Sequence, residues 1–209
     1  MIRVLIADDH PVVRRGLAEI VAGERDMTVA GQAATGPEAI AFVRTHGCDV
    51  VMLDLSMPGL SGLDVLKQLR HEQPRLPVLV LSVYPEDQFA IRVLRAGAAG
   101  YLTKESAADE LVRALRKVSR GGRYVSAALA EQLAAAVADP APTPPHRALS
   151  DREYEVMCLL ASGRAVKEVA AALGLSVKTV STYRGRLLEK MHMETNADLT
   201  RYCVENRLI

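Results

Sequence analysis

Aromatic side chains are scarce in this chain of 209 residues: there is no tryptophan, and only two phenylalanines and six tyrosines. Whatever it packs must be filled by aliphatic groups, and a hydrophobic content of 49% over this length is enough for two modest cores. Cysteine is nearly absent too. Cys48, Cys158 and Cys203 form no CxxC pair and have no metal-ligand spacing, which excludes a disulfide framework and reads as packed free thiols in a reducing compartment. No apolar run approaches the ~20 residues needed to cross a bilayer. Residues 1–7 are too short for a signal-peptide core and run straight into two aspartates, so a cytosolic protein with no membrane association is expected. Net charge is small, +1, but unevenly spread: residues 1–120 carry 15 basic and 15 acidic side chains, 121–146 carry 1 and 2, and 147–209 carry 10 and 8. Only the C-terminal third is positive.

Five apolar runs, at 2–7, 27–31, 50–53, 78–81 and 100–102, read as strands. They alternate with segments of helical spacing such as Val13, Leu17, Ile20 and Val21. That alternation specifies an α/β fold, a five-stranded parallel sheet with helices on both faces. Two helix starts look like capping boxes, Thr35 with Glu38 and Ser106 with Asp109, the second with Asp where Glu or Gln is preferred. Asp8, Asp9, Asp54, Ser82 and Lys104 each follow one of the apolar runs, and a parallel sheet gathers the residues at its strand ends along one edge. Three carboxylates brought together repel unless something positive sits among them. Lys104 and a divalent cation are the candidates, and Mg²⁺ suits hard oxygen ligands while keeping positions open for a phosphoryl oxygen. An aspartate so placed can attack phosphorus and become an acyl phosphate, with Ser82 donating a hydrogen bond to the phosphoryl group and Lys104 pairing with its charge. Taken singly, the Asp pair is a turn or a cap, Ser82 a turn former and Lys104 a surface lysine. Their joint placement after strands one, three, four and five carries the argument.

Residues 1–120 resemble a response-regulator receiver domain through Ala7-Asp-Asp-His-Pro11, Leu53-Asp-Leu-Ser-Met-Pro-Gly-Leu-Ser-Gly62, Leu81-Ser82 and Tyr101-Leu-Thr-Lys104. The resemblance implies a flavodoxin-like, doubly wound sheet with Asp54 as phosphoacceptor and Ser82 and Lys104 in catalytic roles. Asp9, Asp54 and the Ser56 backbone carbonyl would bind Mg²⁺, with Asp8 assisting through water. Ser82 and Tyr101 match the switch positions by which receivers pass phosphorylation to the face of helix 4, strand 5 and helix 5. Tyr101 also has a lesser reading as an ordinary half-buried strand aromatic. Ser56 and Tyr84 fall where receivers tune the lifetime of the phosphate. Glu105 departs from the proline common after the lysine, so a cis peptide is not assumed there.

Residues 121–146 read as a linker: an alanine-rich helix over 126–139, then a proline-rich extended tether over 140–145. From 147 to 209 everything reads helical. Ser150 and Glu153 form a capping box, Gly163 ends the first helix, 167–173 makes a short second, and Ser176 caps a third that reaches Met191. A last helix runs from about Asn196 to Glu205. A short helix, a Gly-containing turn and a capped helix can place the capped helix in a DNA major groove. Val180, Leu187 and Met191 form the inward stripe of that helix, flanked by Tyr183, while Lys178, Ser181, Thr182, Gly185 and Arg186 lie on the other face.

This segment resembles the LuxR-type helix-turn-helix of the NarL/FixJ regulators through Leu149-Ser-Asp-Arg-Glu153, Val166-Lys-Glu-Val-Ala170 and Leu175-Ser-Val-Lys-Thr-Val180. The resemblance implies sequence-specific binding of double-stranded DNA by a homodimer, with Lys178, Thr179, Ser181, Thr182 and Gly185 facing the groove. Lys178, Arg184 and Arg186 suit phosphates, and Ser181 and Thr182 are short groups able to touch base edges. Arg184 and Arg186 can also be read as solvated helix arginines. Gly185 supplies no side-chain contact, so specificity leans partly on DNA shape. Tyr183 in place of histidine, and Ala165-Val166 where small polar residues are frequent, depart from the family pattern.

The expected function is that of a phosphorylation-controlled transcriptional regulator of a two-component system, not an enzyme. Its partners would be a sensor histidine kinase, DNA, RNA polymerase and a second copy once phosphorylated. An aspartyl phosphatase would carry its nucleophile and acid two residues apart after the first strand, whereas Asp8 and Asp9 are adjacent. The alternative is a constitutive DNA binder whose receiver serves as a dimerisation module.

Overall fold

The computed structural model describes residues 1–209 except 58, 85, 139–143 and 207. The chain divides into two compact units, 1–131 and 132–209.

In the first unit the strands β1 (Ile2–Ala7), β2 (Met27–Ala33), β3 (Val50–Asp54), β4 (Val78–Ser82) and β5 (Gly100–Thr103) form one sheet in the order β2-β1-β3-β4-β5. Every neighbouring pair is parallel. The central strands β3 and β4 are buried at every residue, which is why their sequences are unbroken apolar runs rather than alternating ones. Four strands outlast the apolar runs that announce them. Asp54 pairs with Leu81, Ser82 with Thr103, and Gln32 and Ala33 with Ile6 and Ala7, so the ladder is set by backbone partners and continues into polar residues. Helices α1 (Pro11–Ala22), α2 (Gly36–Thr45), α3 (Gly62–Glu72), α4 (Glu86–Arg95) and α5 (Ala108–Ser119) alternate with the strands. One layer of the core joins Val4, Ile6, Val50, Met52, Leu79 and Leu81 to Val21 of α1 and to Leu111, Leu115 and Val118 of α5.

The first expected cap forms with a shift. The Thr35 hydroxyl accepts from the Glu38 N–H at 3.3 Å, but the Glu38 carboxylate reaches Ala34 instead of the cap's own N–H. The second does not form. Ser106 sits in a turn, its N–H bonded to the Thr103 carbonyl at 3.0 Å and its hydroxyl beside that of Thr103. Ala107 takes the cap position without a side-chain bond, and Asp109 and Glu110 favour the helix N-terminus by charge alone.

After α5 the chain returns along the free edge of β5, where Tyr124 N–H donates to the Ala99 carbonyl at 2.8 Å and Tyr124 bridges Gly100. A Cβ on Gly100 would lie 2.8 Å from the Tyr124 carbonyl oxygen, so the approach requires glycine. Helix α6 (Ala127–Ala138) follows, with Ser126 as its cap; the expected last residue, 139, lies outside the described residues. So do 140–143 of the proline-rich stretch. Pro145, expected to be extended, instead opens a 3-10 turn, Pro145–Ala148, where its fixed φ and missing N–H are tolerated.

The second unit contains α7 (Asp151–Ala161), α8 (Val166–Ala172), α9 (Val177–Met191) and α10 (Asn196–Glu205). Helix α8 starts at Val166, one residue before the expected start, because Glu168 accepts the Ala165 N–H at 2.8 Å. Glycines in the left-handed region stop the first two helices, Gly163 at φ 85° and Gly174 at φ 62°. Val156, Met157, Val169, Val180, Leu187, Leu199 and Cys203 are all fully buried. The three cysteines are free thiols. Among the described residues no helix is long and apolar enough to cross a membrane.

Candidate functional site

Strand order 2-1-3-4-5 places a topological switch point between β1 and β3, where open α/β sheets hold ligands beyond their carboxyl ends. Asp8 and Asp9 follow β1, and Asp54 ends β3. Ser82 ends β4 and Lys104 follows β5, so the structure brings all five expected residues to one edge. Asp8 and Asp54 are each only 1% exposed. Lys104 Nζ stands between them, 2.7 Å from Asp8 Oδ2 and 2.7 Å from Asp54 Oδ2, the counter-charge that buried carboxylates require. The other Asp54 oxygen, Oδ1, accepts the Ser56 N–H at 3.0 Å. Burial pushes the Asp54 carboxyl up, and Lys104 opposes this without cancelling it. Burial likewise disfavours the charge on Lys104, but the attraction of Asp54 and Asp8 outweighs it and raises its pKa.

Sequence reasoning gave His10 no role at this edge. Its N–H donates to Asp8 Oδ1 at 2.7 Å, and its Nδ1 lies 2.7 Å from Asp9 Oδ1. Asp8, Asp9, His10 and Asp54 can each turn one ligand atom to within 4.8 Å of the others. Asp8 Oδ2 and Asp9 Oδ1 are buried without an aligned hydrogen bond, the ionic approaches of Lys104 and His10 notwithstanding, and so is the Ser56 hydroxyl. Buried oxygens left in this state call for a further electropositive partner. The adjacency of His10 to the aspartate pair was the available signal.

Ser82 is fully buried, and its hydroxyl accepts the Tyr84 N–H at 3.2 Å. Tyr101 is not half-buried, as one reading of it had it, but fully buried, with its hydroxyl donating to the Tyr84 carbonyl at 2.7 Å. Both switch candidates therefore meet at Tyr84.

In the second unit α9 buries Val180, Leu187, Leu188 and Met191 and exposes Lys178, Ser181, Thr182, Gly185 and Arg186. The expected groove-facing residues thus share a solvent face, with two exceptions in detail. Thr179 is half-buried and its hydroxyl lies 2.8 Å from that of the cap, Ser176. Arg184 is half-buried and its Nε donates to Asn196 Oδ1 at 2.7 Å, fastening α9 to the start of α10. Thr182 already donates to the Lys178 carbonyl at 3.0 Å, leaving its lone pairs outward.

A sheet with a lysine-neutralised acidic pocket at its switch point, on the same chain as a capped helix-turn-helix, defines a signal-responsive regulator with separate input and nucleic-acid units. Residues 4–116 match the response regulator receiver domain and residues 147–203 match the bacterial regulatory proteins of the luxR family. The chain belongs to the NarL/FixJ family of two-component response regulators, with a receiver and a LuxR-type DNA-binding domain. It is 36% identical over 209 residues to response regulator UvrY of Escherichia coli K12, covering 100% of this chain and 96% of the relative. It is 38% identical over 210 residues to response regulator GacA of Pseudomonas aeruginosa, covering 100% and 98%. Among solved structures, RcsB from Salmonella enterica serovar Typhimurium, bound to promoter P1flhDC in the presence of the phosphomimetic BeF3⁻, superposes with a TM-score of 0.68 at 28% identity over 96% of this chain and 97% of that one.

Proposed function

We propose that Asp54 accepts a phosphoryl group from a sensor histidine kinase and that the phosphorylated chain binds operator DNA as a homodimer. The observation that carries this reading is Lys104 Nζ held at 2.7 Å from each of two buried carboxylates at the switch point. In the transfer an Asp54 carboxylate oxygen bonds to phosphorus as the donor's P–N bond breaks, the electron pair leaving with the imidazole. Lys104 then pairs with the phosphoryl charge, and the Ser82 hydroxyl, whose oxygen now accepts from Tyr84, turns its proton to a phosphoryl oxygen.

The donor set fits Mg²⁺: carboxylates of Asp8, Asp9 and Asp54 with the Ser56 carbonyl, two of the carboxylate oxygens being buried and met only by the ionic approaches of Lys104 and His10. Bound there, the ion would supply a Lewis acid that neutralises the carboxylates and the transferring oxygens. We read residues 1–120 as the receiver, 121–146 as the linker and 147–209 as the DNA-binding domain. Exposure of Lys178, Ser181, Thr182, Gly185 and Arg186 on one face of α9 supports that face as the groove reader. Lys178 and Arg186 are assigned to phosphates, and Thr179 and Arg184 to orienting the helix. The promoter-bound RcsB structure supports a DNA-bound phosphorylated form. A cytosolic, non-enzymatic regulator acting on RNA polymerase completes the reading.

The test is phosphate uptake from acetyl phosphate with and without Mg²⁺, resolved on a phosphate-retarding gel, alongside DNA affinity by fluorescence anisotropy. Wild type should shift only with Mg²⁺ and gain affinity about 5- to 150-fold on phosphorylation, and Asp54→Asn should do neither. An Asp54→Asn protein that takes up phosphate would remove Asp54 as acceptor. One that binds DNA as tightly as the phosphorylated wild type would establish the constitutive alternative.

A further inference from the structure

The path by which the chain leaves the receiver passes through a contact that phosphoryl transfer does not use. Tyr84 is gripped three ways: its N–H by the Ser82 hydroxyl, its carbonyl by the Tyr101 hydroxyl, and its ring by Phe89, stacked at 4.3 Å. Two residues later Glu86 opens α4. Its carboxylate accepts both the backbone N–H of Ser126, at 3.4 Å, and the Ser126 hydroxyl. That same hydroxyl oxygen accepts the Leu129 N–H at 3.0 Å, capping α6. Leu129 is buried, whereas α6 continues past residue 131, where the first compact unit ends. The first residue of α4 therefore holds the N-cap of the helix that leads out of the receiver.

We propose that Glu86 is a positioning residue that reports the phosphorylation state of the receiver to the linker helix through Ser126. This rests on the reading of Asp54 as phosphoacceptor. When the Ser82 side chain rotates about χ1 to carry its hydroxyl to a phosphoryl group, the oxygen moves away from the Tyr84 N–H, and Tyr84 loses one of its three holds. Glu86 shifts with the start of α4, and the two bonds to Ser126 shift with it. A modification moves a conformational equilibrium only by what it gains in one state over the other. A carboxylate clasp made in one position of the α4 start and broken in the other supplies that difference, and it places the readout on the one helix that crosses the unit boundary.

The experiment uses the full chain, phosphorylated with acetyl phosphate and Mg²⁺, and follows three quantities: phosphate uptake, amide hydrogen exchange over 127–138, and the ratio of DNA affinities with and without phosphate. Glu86→Ala leaves the acidic pocket and the Leu129 cap in place, so it should take up phosphate as the wild type does. Its α6 amides should exchange, before phosphorylation, as fast as those of phosphorylated wild type. Its affinity ratio should fall from the usual span of about 5- to 150-fold to about twofold or less. Ser126→Ala, which removes the hydroxyl bond of the clasp together with the Leu129 cap but keeps the backbone N–H bond, should lower the ratio as well, and Glu86→Gln, which keeps an acceptor oxygen, should retain it. Wild-type α6 exchange and affinity ratio in Glu86→Ala would overturn the proposal while leaving the phosphoacceptor reading intact. Absence of phosphate uptake in the wild type would remove both.

Discussion

At the scale of single residues, the position of Asp54 depends on a neighbour with no side chain. A Cβ on Gly62 would lie 2.3 Å from the Asp54 carbonyl oxygen and 2.5 Å from Leu55 Cα. Both are backbone atoms and cannot rotate away. The Gly62 N–H also donates to the Leu55 carbonyl at 3.1 Å, pressing the start of α3 against the end of β3. Gly62→Ala should therefore cost about 1–3 kcal/mol of receiver stability and lower phosphate uptake at Asp54. Denaturant melts beside the gel assay check both. Gly16→Ala is the control: it lies inside α1 with open space around the added Cβ, and should gain up to about 1 kcal/mol of helix propensity. The sequence marks Gly62 only through the motif that contains it, because a backbone-to-backbone approach leaves no periodic trace. His10 was missed for a related reason: its contacts run to the two residues just before it, and side-chain direction at a strand end follows no repeat.

At the scale of elements, identical spacing gave opposite outcomes. Ser150-x-x-Glu153 closes as a full capping box, whereas Ser106-x-x-Asp109 does not form, since the turn from Thr103 has already claimed the Ser106 N–H. Spacing nominates a cap, and the preceding turn decides it. The Ser150 box reaches further than its own helix, because Glu153 Oε2 also accepts from Lys190 of α9 at 2.7 Å. Burial raises the Glu153 carboxyl, but the bonds from Lys190 and Ser150 prevail and hold it below the ordinary 4.5. With the folded value depressed, the unfolded chain binds more protons in acid. The stabilisation is thus complete above 4.5 and is lost as pH falls through the lower folded value. Glu153→Gln should accelerate amide exchange in α7 at pH 7, and the difference from wild type should close as the pH drops below the folded value. A gap that is constant with pH would mean that the carboxylate charge contributes nothing.

At the scale of the whole molecule, the pattern of apolar runs was sufficient for the fold class and for the edge on which the site lies, because strand ends are collected by any parallel sheet. The order β2-β1-β3-β4-β5 was beyond composition and periodicity, and only the receiver resemblance supplied it. The Arg184–Asn196 link was equally beyond reach, since it joins side chains twelve residues apart on two helices. The division into two compact units makes a further expectation specific. On the proposed reading, in which Asp8, Asp9 and Asp54 would hold Mg²⁺, the ion's ligands all lie in the first unit, so at 100 times its Kd Mg²⁺ should add about 2.7 kcal/mol to opening of that unit. Hydrogen exchange should slow within 1–131 and remain unchanged in α7 through α10, and a uniform response along the chain would contradict this.

The open space around Gly185, where an added Cβ on the exposed face of α9 meets nothing within 4 Å, bears on how copies of such a gene diverge. An added Cβ there is unopposed by the protein itself, and glycine in a helix interior already forgoes about 0.8–1.0 kcal/mol relative to alanine. Retargeting after duplication can then proceed downhill in stability space: one codon change alters promoter choice and firms the helix together, while the phosphorylation chemistry is inherited untouched.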